Sequence, residues 1–178
     1  MPADQAPAFT GVFLSKKRRK EMTTIRKAKI EDAAAIEALY IELEKDAVMY
    51  QSEHFVLSPA GARARQLEEI LKNENQVMLV AVDESDVVIG FAHVVFMGVK
   101  AFSCLRPQTN IYLQDLVVSG DYRNRGIGTL LLNEAKKYGT EKGADFFRTQ
   151  VFPMNKAGLR FYERNGFSIK MITIEAPL

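Results

Sequence analysis

The sequence predicts an α/β domain in which a mostly antiparallel set of strands is followed by helical crossovers. Two apolar runs, residues 77–83 and 87–97, are separated only by Glu84-Ser-Asp, which is typical of a β-hairpin. A third apolar run, residues 110–118, leads into a turn with two glycines and then into an amphipathic helix. No internal repeat or linker interrupts this order, so we expect one domain.

Two helices precede the hairpin. After a short predicted strand at residues 24–28, a helix is expected from about Glu31, because apolar residues recur there at helical spacing. That apolar face consists of Ile36, Leu39, Tyr40 and Leu43. A second helix is expected around residues 62–71.

The second half of the chain alternates helices and strands. The helix that begins near Gly126 should end before Gly143, because glycine commonly terminates helices. It is followed, in order, by a predicted strand over residues 145–151, a helix over residues 155–164 and a last strand over residues 167–174.

Composition narrows the class of protein. With 178 residues the chain is long enough to bury a core as one domain, and no apolar run is long enough to cross a bilayer. The 24 basic and 22 acidic residues nearly cancel, so overall charge gives no reason to expect a nucleic-acid or membrane partner. The single cysteine, Cys104, excludes an internal disulfide and fits a reducing cytoplasm.

The first 21 residues differ in composition from the rest. Residues 1–20 contain one acid, Asp4, and end in the basic run Lys16-Lys-Arg-Arg-Lys20. A secretory signal has its charges before its apolar part, whereas here the apolar residues come first. We therefore interpret residues 1–21 as a peripheral basic leader, with a nucleic-acid or ribosome contact as the alternative, and residues 22–178 as the folded domain.

The turn after the third apolar run has the features of an anion-binding loop. A helix that starts near Gly126 directs its unpaired N–H groups into the turn. Gly126 and Gly128 leave the backbone accessible, while Arg123 and Arg125 add positive charge. The turn lacks both the Gly-Lys-Ser/Thr of a Walker loop and the three glycines of a dinucleotide fingerprint. The pattern therefore predicts a pyrophosphate-binding loop of another kind.

Two motifs resemble the GNAT superfamily of N-acetyltransferases. Arg123-Asn-Arg-Gly-Ile-Gly128 is similar to its Arg/Gln-x-x-Gly-x-Gly/Ala loop, and residues 155–167 are similar to its downstream segment, so the resemblance spans roughly residues 23–175. It implies a GNAT-type acyl-CoA N-acyltransferase fold, with the sheet splayed at the coenzyme-binding strand, and acetyl-coenzyme A as co-substrate. The implied coenzyme-binding residues are Leu116, Val117, Val118, Arg123, Asn124, Arg125, Gly126, Ile127, Gly128, Thr129, Asn155 and Tyr162.

The resemblance also implies how the coenzyme binds. Members of the family part the strands that correspond to residues 110–118 and 145–151 at one end, and the pantetheine arm pairs with the exposed main chain. The main chains of Leu116, Val117 and Val118 are implied for that pairing. Asn155 is explained equally well as the N-cap of the following helix and as a coenzyme contact.

Amide formation from a thioester requires three kinds of group. A primary amine with a pKa of about 10.4 must lose a proton before it attacks, so a base or a water chain is needed. The oxyanion requires backbone donors, and the N–H of Val117 or Val118 is the expected source. The resemblance assigns Tyr162 as the general acid for the leaving thiolate, although a tyrosine on an amphipathic helix otherwise packs in a core.

The sequence does not decide which residue is the general base. Residues 112–115 resemble the diamine and polyamine acetyltransferase branch, in which a Glu-Asp pair occupies the positions of Gln114 and Asp115. Gln114 cannot take up a proton at useful pH, so we do not expect a direct base there. We predict a water relay polarised by Asp115, with Glu42 or Glu44 as weaker candidates; the same acids are alternatives for binding a cationic acceptor.

The remaining reactive side chains predict no further chemistry. His93 lies in an apolar strand with no second ligand nearby in sequence, so no metal site is expected. His54 falls where the variable substrate loops of the resembling family lie, and we interpret it as an ordinary loop residue. Cys104 has no paired histidine and is interpreted as structural or exposed.

These patterns predict an acetyl-coenzyme A dependent N-acetyltransferase that transfers directly to a primary amine, since no activated nucleophile is apparent. A small or polyamine-like amine is favoured as acceptor, while an aminoglycoside, an amino-acid derivative and a protein amine stay open. The alternatives from other classes are a non-catalytic acyl-coenzyme A sensor and a nucleic-acid-associated protein acting through residues 16–20. A homodimer is compatible with the resemblance, but no residue decides it.

Removal of residues 1–21 is expected to change the rate of acetyl transfer by less than about twofold, because a peripheral leader contributes no group to the site. Steady-state kinetics of the full chain and of the shortened chain test this. A loss of turnover on the order of tenfold or more would make the leader a part of the active site.

Overall fold

The computed structural model describes residues 22–100 and 103–177, so the basic leader lies outside the described residues. Nine helices and strands of the described part form the framework, joined by 3₁₀ turns at Ile30–Asp32 and Gly120–Tyr122. In chain order they are β1 (Thr24–Lys27), α1 (Ala33–Tyr50), α2 (Ala62–Lys72), β2 (Gln76–Val82), β3 (Val88–Val99), β4 (Gln108–Val118), α3 (Ile127–Glu141), β5 (Phe146–Thr149) and α4 (Lys156–Arg164).

The five strands form one sheet in the order β1-β2-β3-β4-β5. The first four strands pair antiparallel, and β5 pairs parallel to β4, as a crossover through α3 requires. This arrangement confirms the predicted α/β class with a mostly antiparallel mixed sheet. No helix in the described ranges is both long and apolar enough to cross a membrane.

Helices cover both faces of the sheet, so the central strands are apolar on both sides. On one face Leu131 and Leu132 of α3 pack in a buried cluster with strand residues such as Leu113. On the other face Ile36 of α1 and Leu67 of α2 belong to a buried cluster with Phe91 of β3 and its neighbours. Burial on both faces explains why β2 is a continuous apolar run rather than an alternating one.

Strand β4 carries the two irregularities that shape the site. Its register with β3 shifts between His93 and Val94, which pair with Asp115 and Leu113, so Gln114 is the extra residue of a β-bulge. Its pairing with β5 is confined to Asn110–Leu113. From Gln114 onward β4 has no strand neighbour on that side among the described residues, which agrees with the splayed sheet that the resemblance implied.

The predicted last strand over residues 167–174 is wrong. Residues 168–177 have no secondary structure and are exposed, and Met171 and Ile174 expose 88% and 91% of their surface. Their backbone forms no hydrogen bond within the described part of the chain. Within the described residues, the side-chain polar contact of this segment is between Glu175 Oε1 and His54 Nε2, at 2.9 Å. The β-branched composition alone does not make a strand when no neighbouring backbone pairs with it.

The close approach of β3 to β4 can be tested with two glycines of β3. A Cβ at Gly90 would lie 2.7 Å from the carbonyl oxygen of Val117 and 3.3 Å from Cα of Val118, both main-chain atoms that cannot rotate away. We expect Gly90→Ala to lower the free energy of unfolding by about 1–3 kcal/mol in urea titrations.

Gly98 in the same strand is the matched control, because a Cβ there would meet no atom within 4 Å. Gly98→Ala should change the free energy of unfolding by less than about 0.5 kcal/mol. Equal losses in the two variants would show that the approach of β3 to Val117 is not a constraint.

Candidate active site

The candidate site is the gap that opens where β4 and β5 diverge. At the fork, the hydroxyl of Thr149 donates a hydrogen bond to the carbonyl oxygen of Leu113, at 3.0 Å. Beyond it the N–H of Ser119 donates to Ile89 of β3, at 2.9 Å, so the carbonyl of the preceding residue, Val118, points away from β3. That carbonyl accepts a hydrogen bond from Nε of Arg123 instead, at 3.0 Å.

Alternation along β4 then determines which main-chain groups face the gap. Residues two apart present their N–H and C=O groups to the same side of a strand. Leu116 therefore faces the gap together with Val118, whereas Val117 faces β3. Of the three main chains predicted to contact the coenzyme, those of Leu116 and Val118 face the gap, although the Val118 carbonyl is already bonded to Arg123, and that of Val117 is used inside the sheet.

The loop before α3 exposes unused N–H groups. Asn124 and Gly126 adopt positive φ angles of 63° and 83°, which turns the chain sharply into the helix. The N–H groups of Gly126, Ile127 and Gly128 make no hydrogen bond within the described residues, while that of Thr129 already bonds to the carbonyl of Gly126, at 3.0 Å. The geometry suits an anion at the helix N-terminus, as the sequence predicts.

Gly128 fits this loop because it has no side chain. A Cβ at Gly128 would lie 3.4 Å from the ring of Phe161 on α4 and 3.9 Å from the side chain of Val118. The N-terminus of α3 therefore lies against both α4 and the end of β4.

The two arginines of the loop, which are predicted to contact the coenzyme, also contact groups of the protein itself. Nη2 of Arg123 lies 3.6 Å from Glu42 and 3.9 Å from Asp46, both on α1. Nη2 of Arg125 donates to the carbonyl of Asp121, at 2.8 Å. The guanidinium groups thus fasten the loop to α1 and to itself, and the sequence motif could not show that acidic residues of α1 lie beside it.

Glu42 and Glu44, the weaker candidates for the base, are both engaged elsewhere. Glu42 accepts a hydrogen bond from the N–H of Gly120, at 3.2 Å, in addition to its contact with Arg123. Glu44 is buried and accepts hydrogen bonds from Ser58 and from Arg63. Burial raises the pKa of Glu44, but the hydrogen bonds from Ser58 and Arg63 lower that pKa by a larger amount, so the net shift is downward. Both carboxylates are structural.

Tyr162 lies at the fork. Its ring packs edge-on against Phe161 and Phe167, with centroids 5.1 Å and 5.3 Å away. Burial raises the pKa of its hydroxyl to about 12, a hydrogen bond with Thr149 opposes that shift, and the charge of Asp115 adds to it. The phenol is therefore protonated at neutral pH beside the gap, as a general acid must be.

Asp115 points from the bulge toward α1. Its Oδ2 accepts a hydrogen bond from the hydroxyl of Tyr40, at 2.9 Å, and lies 3.6 Å from Nδ1 of His93. Burial, followed by the nearby charge of Asp115, raises the pKa of Tyr40 far above its ordinary range, so Tyr40 is a donor. Gln114, the bulge residue, is exposed.

Sequence reasoning missed Tyr40 and Thr149. Tyr40 had the spacing of a core residue, and its ring does pack on Phe91 with centroids 4.6 Å apart. Its hydroxyl nevertheless reaches Asp115 across 75 residues of sequence. No local pattern signals such a contact.

Asn155 is the N-cap of α4, since its Oδ1 accepts a hydrogen bond from the N–H of Gly158, at 2.8 Å. This establishes the capping interpretation, and the coenzyme contact stays a prediction. His54 pairs with Glu175 in the loop region, and Cys104 is exposed. No group of three or more His, Cys, Asp or Glu side chains in the described ranges is arranged to hold a metal ion.

Comparisons with known proteins also indicate an acetyltransferase. The acetyltransferase (GNAT) family matches residues 36–167, which is most of the chain. An uncharacterized N-acetyltransferase, YhfO of Bacillus subtilis, is 31% identical over 143 residues and covers 80% of this chain and 88% of its own length. The thialysine N-epsilon-acetyltransferase of Sus scrofa is 35% identical over 57 residues, about a third of each chain.

Solved structures show the same fold at low identity. A tetramutant of the BH1408 protein from Bacillus halodurans superposes with a TM-score of 0.83 at 22% identity, over 87% of this chain and 99% of that chain. The aminoglycoside N-acetyltransferase AAC(6')-Iy in complex with CoA gives a TM-score of 0.73 at 20% identity, over 90% of this chain and 97% of that chain.

Asn155 provides a test of how α4 is fixed at the site. Asn155→Ala removes the acceptor for the N–H of Gly158 and is expected to lower the free energy of unfolding by about 1 kcal/mol. Asn155→Asp retains a capping oxygen and should lose less than about 0.5 kcal/mol. Denaturant titration of both variants measures this, and equal losses would contradict the cap as the source of stability.

Proposed function

The chain belongs to the acetyltransferase (GNAT) family, and on this premise we propose that it transfers an acetyl group from acetyl-coenzyme A directly to the primary amine of a small acceptor. The observation that carries the proposal is the protonated phenol of Tyr162 at the fork between β4 and β5, beside an open main-chain edge. A proton donor, free strand amides and an anion-binding helix terminus meet at one gap, which is the set that acetyl transfer from this coenzyme requires.

The residues present fit acetyl-coenzyme A. The unused N–H groups of Gly126, Ile127 and Gly128 would hold the pyrophosphate, and the bare Cα of Gly128 keeps the loop close to α4. The gap-facing main chain of Leu116 would pair with a pantetheine amide, and the N–H of Val118 is then left for the oxyanion. When bound, the coenzyme supplies an acetyl group activated as a thioester. The remaining coenzyme-contact predictions, at Asn124, Thr129 and Asn155 among others, belong to this same proposal.

Different groups of the protein remove a proton, stabilise the oxyanion and supply a proton. Asp115 polarises a water that removes a proton from the acceptor ammonium, whereas Glu42 and Glu44 are paired with arginines. The N–H of Val118 faces the gap and stabilises the oxyanion, a role for which Val117 is turned the wrong way. Tyr162 donates its proton to the departing sulfur. Gln114 has no proton to exchange and orients water or acceptor at the bulge.

Attack is direct, without an acyl-enzyme. An acyl-enzyme requires a nucleophile activated by a neighbouring base. The single cysteine of the chain, Cys104, is exposed in the turn that precedes β4. Both described histidines have carboxylates as neighbours instead of a thiol.

A small acceptor with one reactive amine suits the charges around the gap. Glu44 is neutralised by Arg63, and Glu42 and Asp46 lie beside Arg123. A long polycation would find few uncompensated carboxylates along this surface. The local similarity to thialysine N-epsilon-acetyltransferases favours a small molecule that carries an aliphatic amine, and polyamines are included in the test for that reason.

The proposal is tested by release of free coenzyme A thiol from acetyl-coenzyme A with polyamines, aminoglycosides, amino acids and lysine-bearing peptides as acceptors. We expect one class of small amine to respond. Tyr162→Phe should then lower kcat by about 100-fold or more, because it removes the proton donor but keeps the ring.

Tyr138→Phe is the matched control, because Tyr138 also buries a hydroxyl, on α3, and that hydroxyl has no hydrogen-bond partner within the described residues. Its kcat should stay within about twofold of the wild type. Unchanged turnover in Tyr162→Phe would remove Tyr162 from the mechanism. Binding of acetyl-coenzyme A without transfer to any acceptor would favour the sensor.

A further inference from the structure

His93 is a buried histidine that the reaction described so far does not use. It lies in β3 opposite Asp115, at the bulge, and exposes 4% of its surface. Its Nε2 is 2.9 Å from Oε1 of Gln76, on the neighbouring strand β2. Its Nδ1 is buried without a hydrogen-bond partner in the described part of the chain, and Oδ2 of Asp115 lies 3.6 Å away.

The hydrogen bond to Gln76 decides which ring nitrogen carries the proton. An amide oxygen can only accept, so Nε2 of His93 must be the donor. In the neutral ring Nδ1 then has a lone pair and faces a carboxylate oxygen, another acceptor. These two acceptors face each other, and the ring nitrogen is buried while the carboxylate is partly exposed. A proton between them would be stabilised, and its absence leaves the buried nitrogen without a hydrogen bond.

We propose that His93 is a positioning residue that holds, through Asp115, the proton removed from the acceptor amine. This inference rests on the proposed function and deepens it. Asp115 alone, as a carboxylate, is a weak base toward an ammonium. A proton that reaches Asp115 can pass to Nδ1 of His93, which forms the hydrogen bond that is otherwise missing between them. His93 is then a cation beside the Asp115 anion, and this pairing retains the proton while the freed amine attacks.

The protons balance over one turnover. The acceptor ammonium loses one proton through water to the Asp115–His93 pair, and its nitrogen then bonds to the acetyl carbon. The carbon–sulfur bond breaks, and the sulfur takes the proton of Tyr162. The new amide nitrogen loses its remaining extra proton, which restores the Tyr162 hydroxyl. The proton held by the pair leaves to solvent, so the sum is amide, thiol and one released proton.

The surroundings of the pair contain few other groups that titrate near neutral pH. Tyr40 of α1 donates a hydrogen bond from its hydroxyl to Oδ2 of Asp115, and the hydroxyl stays protonated. Arg63 of α2 lies over the Tyr40 ring, with its guanidinium 4.2 Å from the centroid, and is paired with Glu44. Burial raises the pKa of the phenols of Tyr112 on β4 and Tyr162 on α4, and the nearby charge of Asp115 adds a smaller rise to each. From β2, Gln76 is neutral.

The test is the pH dependence of kcat/KM in His93→Gln, Asp115→Asn and the double variant, with the best acceptor of the panel. We expect His93→Gln to lower kcat/KM at pH 7 by about tenfold and to displace the acidic limb of the profile by about one pH unit or more. Adding His93→Gln to Asp115→Asn should cost less than about a further twofold, because His93 acts through Asp115.

Val94→Ala is the control for core damage, since Val94 is the fully buried next residue of β3 and packs in the cluster on the α3 face, whereas Tyr40, the partner of Asp115, belongs to the other cluster. It should lower the melting temperature and leave the pH profile unchanged. A His93→Gln variant that behaves like Val94→Ala, with lost stability and an unmoved profile, overturns the proposal. Independent losses in the double variant overturn it as well.

A measurement without turnover separates this inference from the proposed function. The ring nitrogens of His93 can be followed by NMR over a range of pH in the wild type and in Asp115→Asn. We expect their pH dependence to differ between the two proteins. Identical titrations reject the proton sharing even if the enzyme is active, whereas an altered titration in a protein that acetylates no acceptor rejects only the proposed function.

Discussion

The separation of β4 from β5 after Leu113 is the constraint on which the rest of the site depends. Pairing stops at the Leu113–Thr149 step, and the bulge at Gln114 follows at once. The bulge lets β4 stay paired with β3 while Leu116 and Val118 present their main-chain groups to open space. If β5 continued beside β4, those groups would be used in the sheet and no ligand could reach them.

The gap persists because its two sides are fixed by different parts of the chain. β4 is held along its length by β3, where Gly90 permits a close approach to Val117. On the other side α4 packs on the N-terminus of α3 through Phe161 and Gly128. The helix that carries Tyr162 therefore also packs on the loop that exposes the unbonded N–H groups, so Tyr162 and this loop are fixed relative to each other.

Asp115 differs from Asp32, Glu42 and Glu44 in the groups that it contacts. Asp32 is paired with Arg26, which holds the pKa of that carboxyl below its usual range against the effect of burial. Glu44 is compensated by Arg63, and Glu42 by Arg123. Asp115 instead lies beside the hydroxyl of Tyr40 and the ring of His93. A carboxylate without a guanidinium partner can exchange a proton more readily than one locked to a guanidinium, which stays ionised.

Local patterns determined much of this protein from sequence alone. Hydrophobic period and turn residues predicted the helices and the hairpin, and the glycine-bearing loop predicted where unpaired helix N–H groups lie, because each of these signals is contained in a few consecutive residues. The failed strand over residues 167–174 shows the limit of such signals. A strand requires a partner backbone, and composition does not supply one.

Tertiary structure decided what depends on residues that are distant in sequence. The contact of Tyr40 with Asp115 spans 75 residues, and that of Glu42 with Gly120 spans 78. The bulge at Gln114, the direction of the Val118 amide and the position of His93 opposite Asp115 all follow from how β3 and β4 are paired. Motifs could therefore name Tyr162 and Asp115 as candidates, but only the packed sheet determined which groups each one faces, since pairing register is a property of two strands and not of either sequence alone.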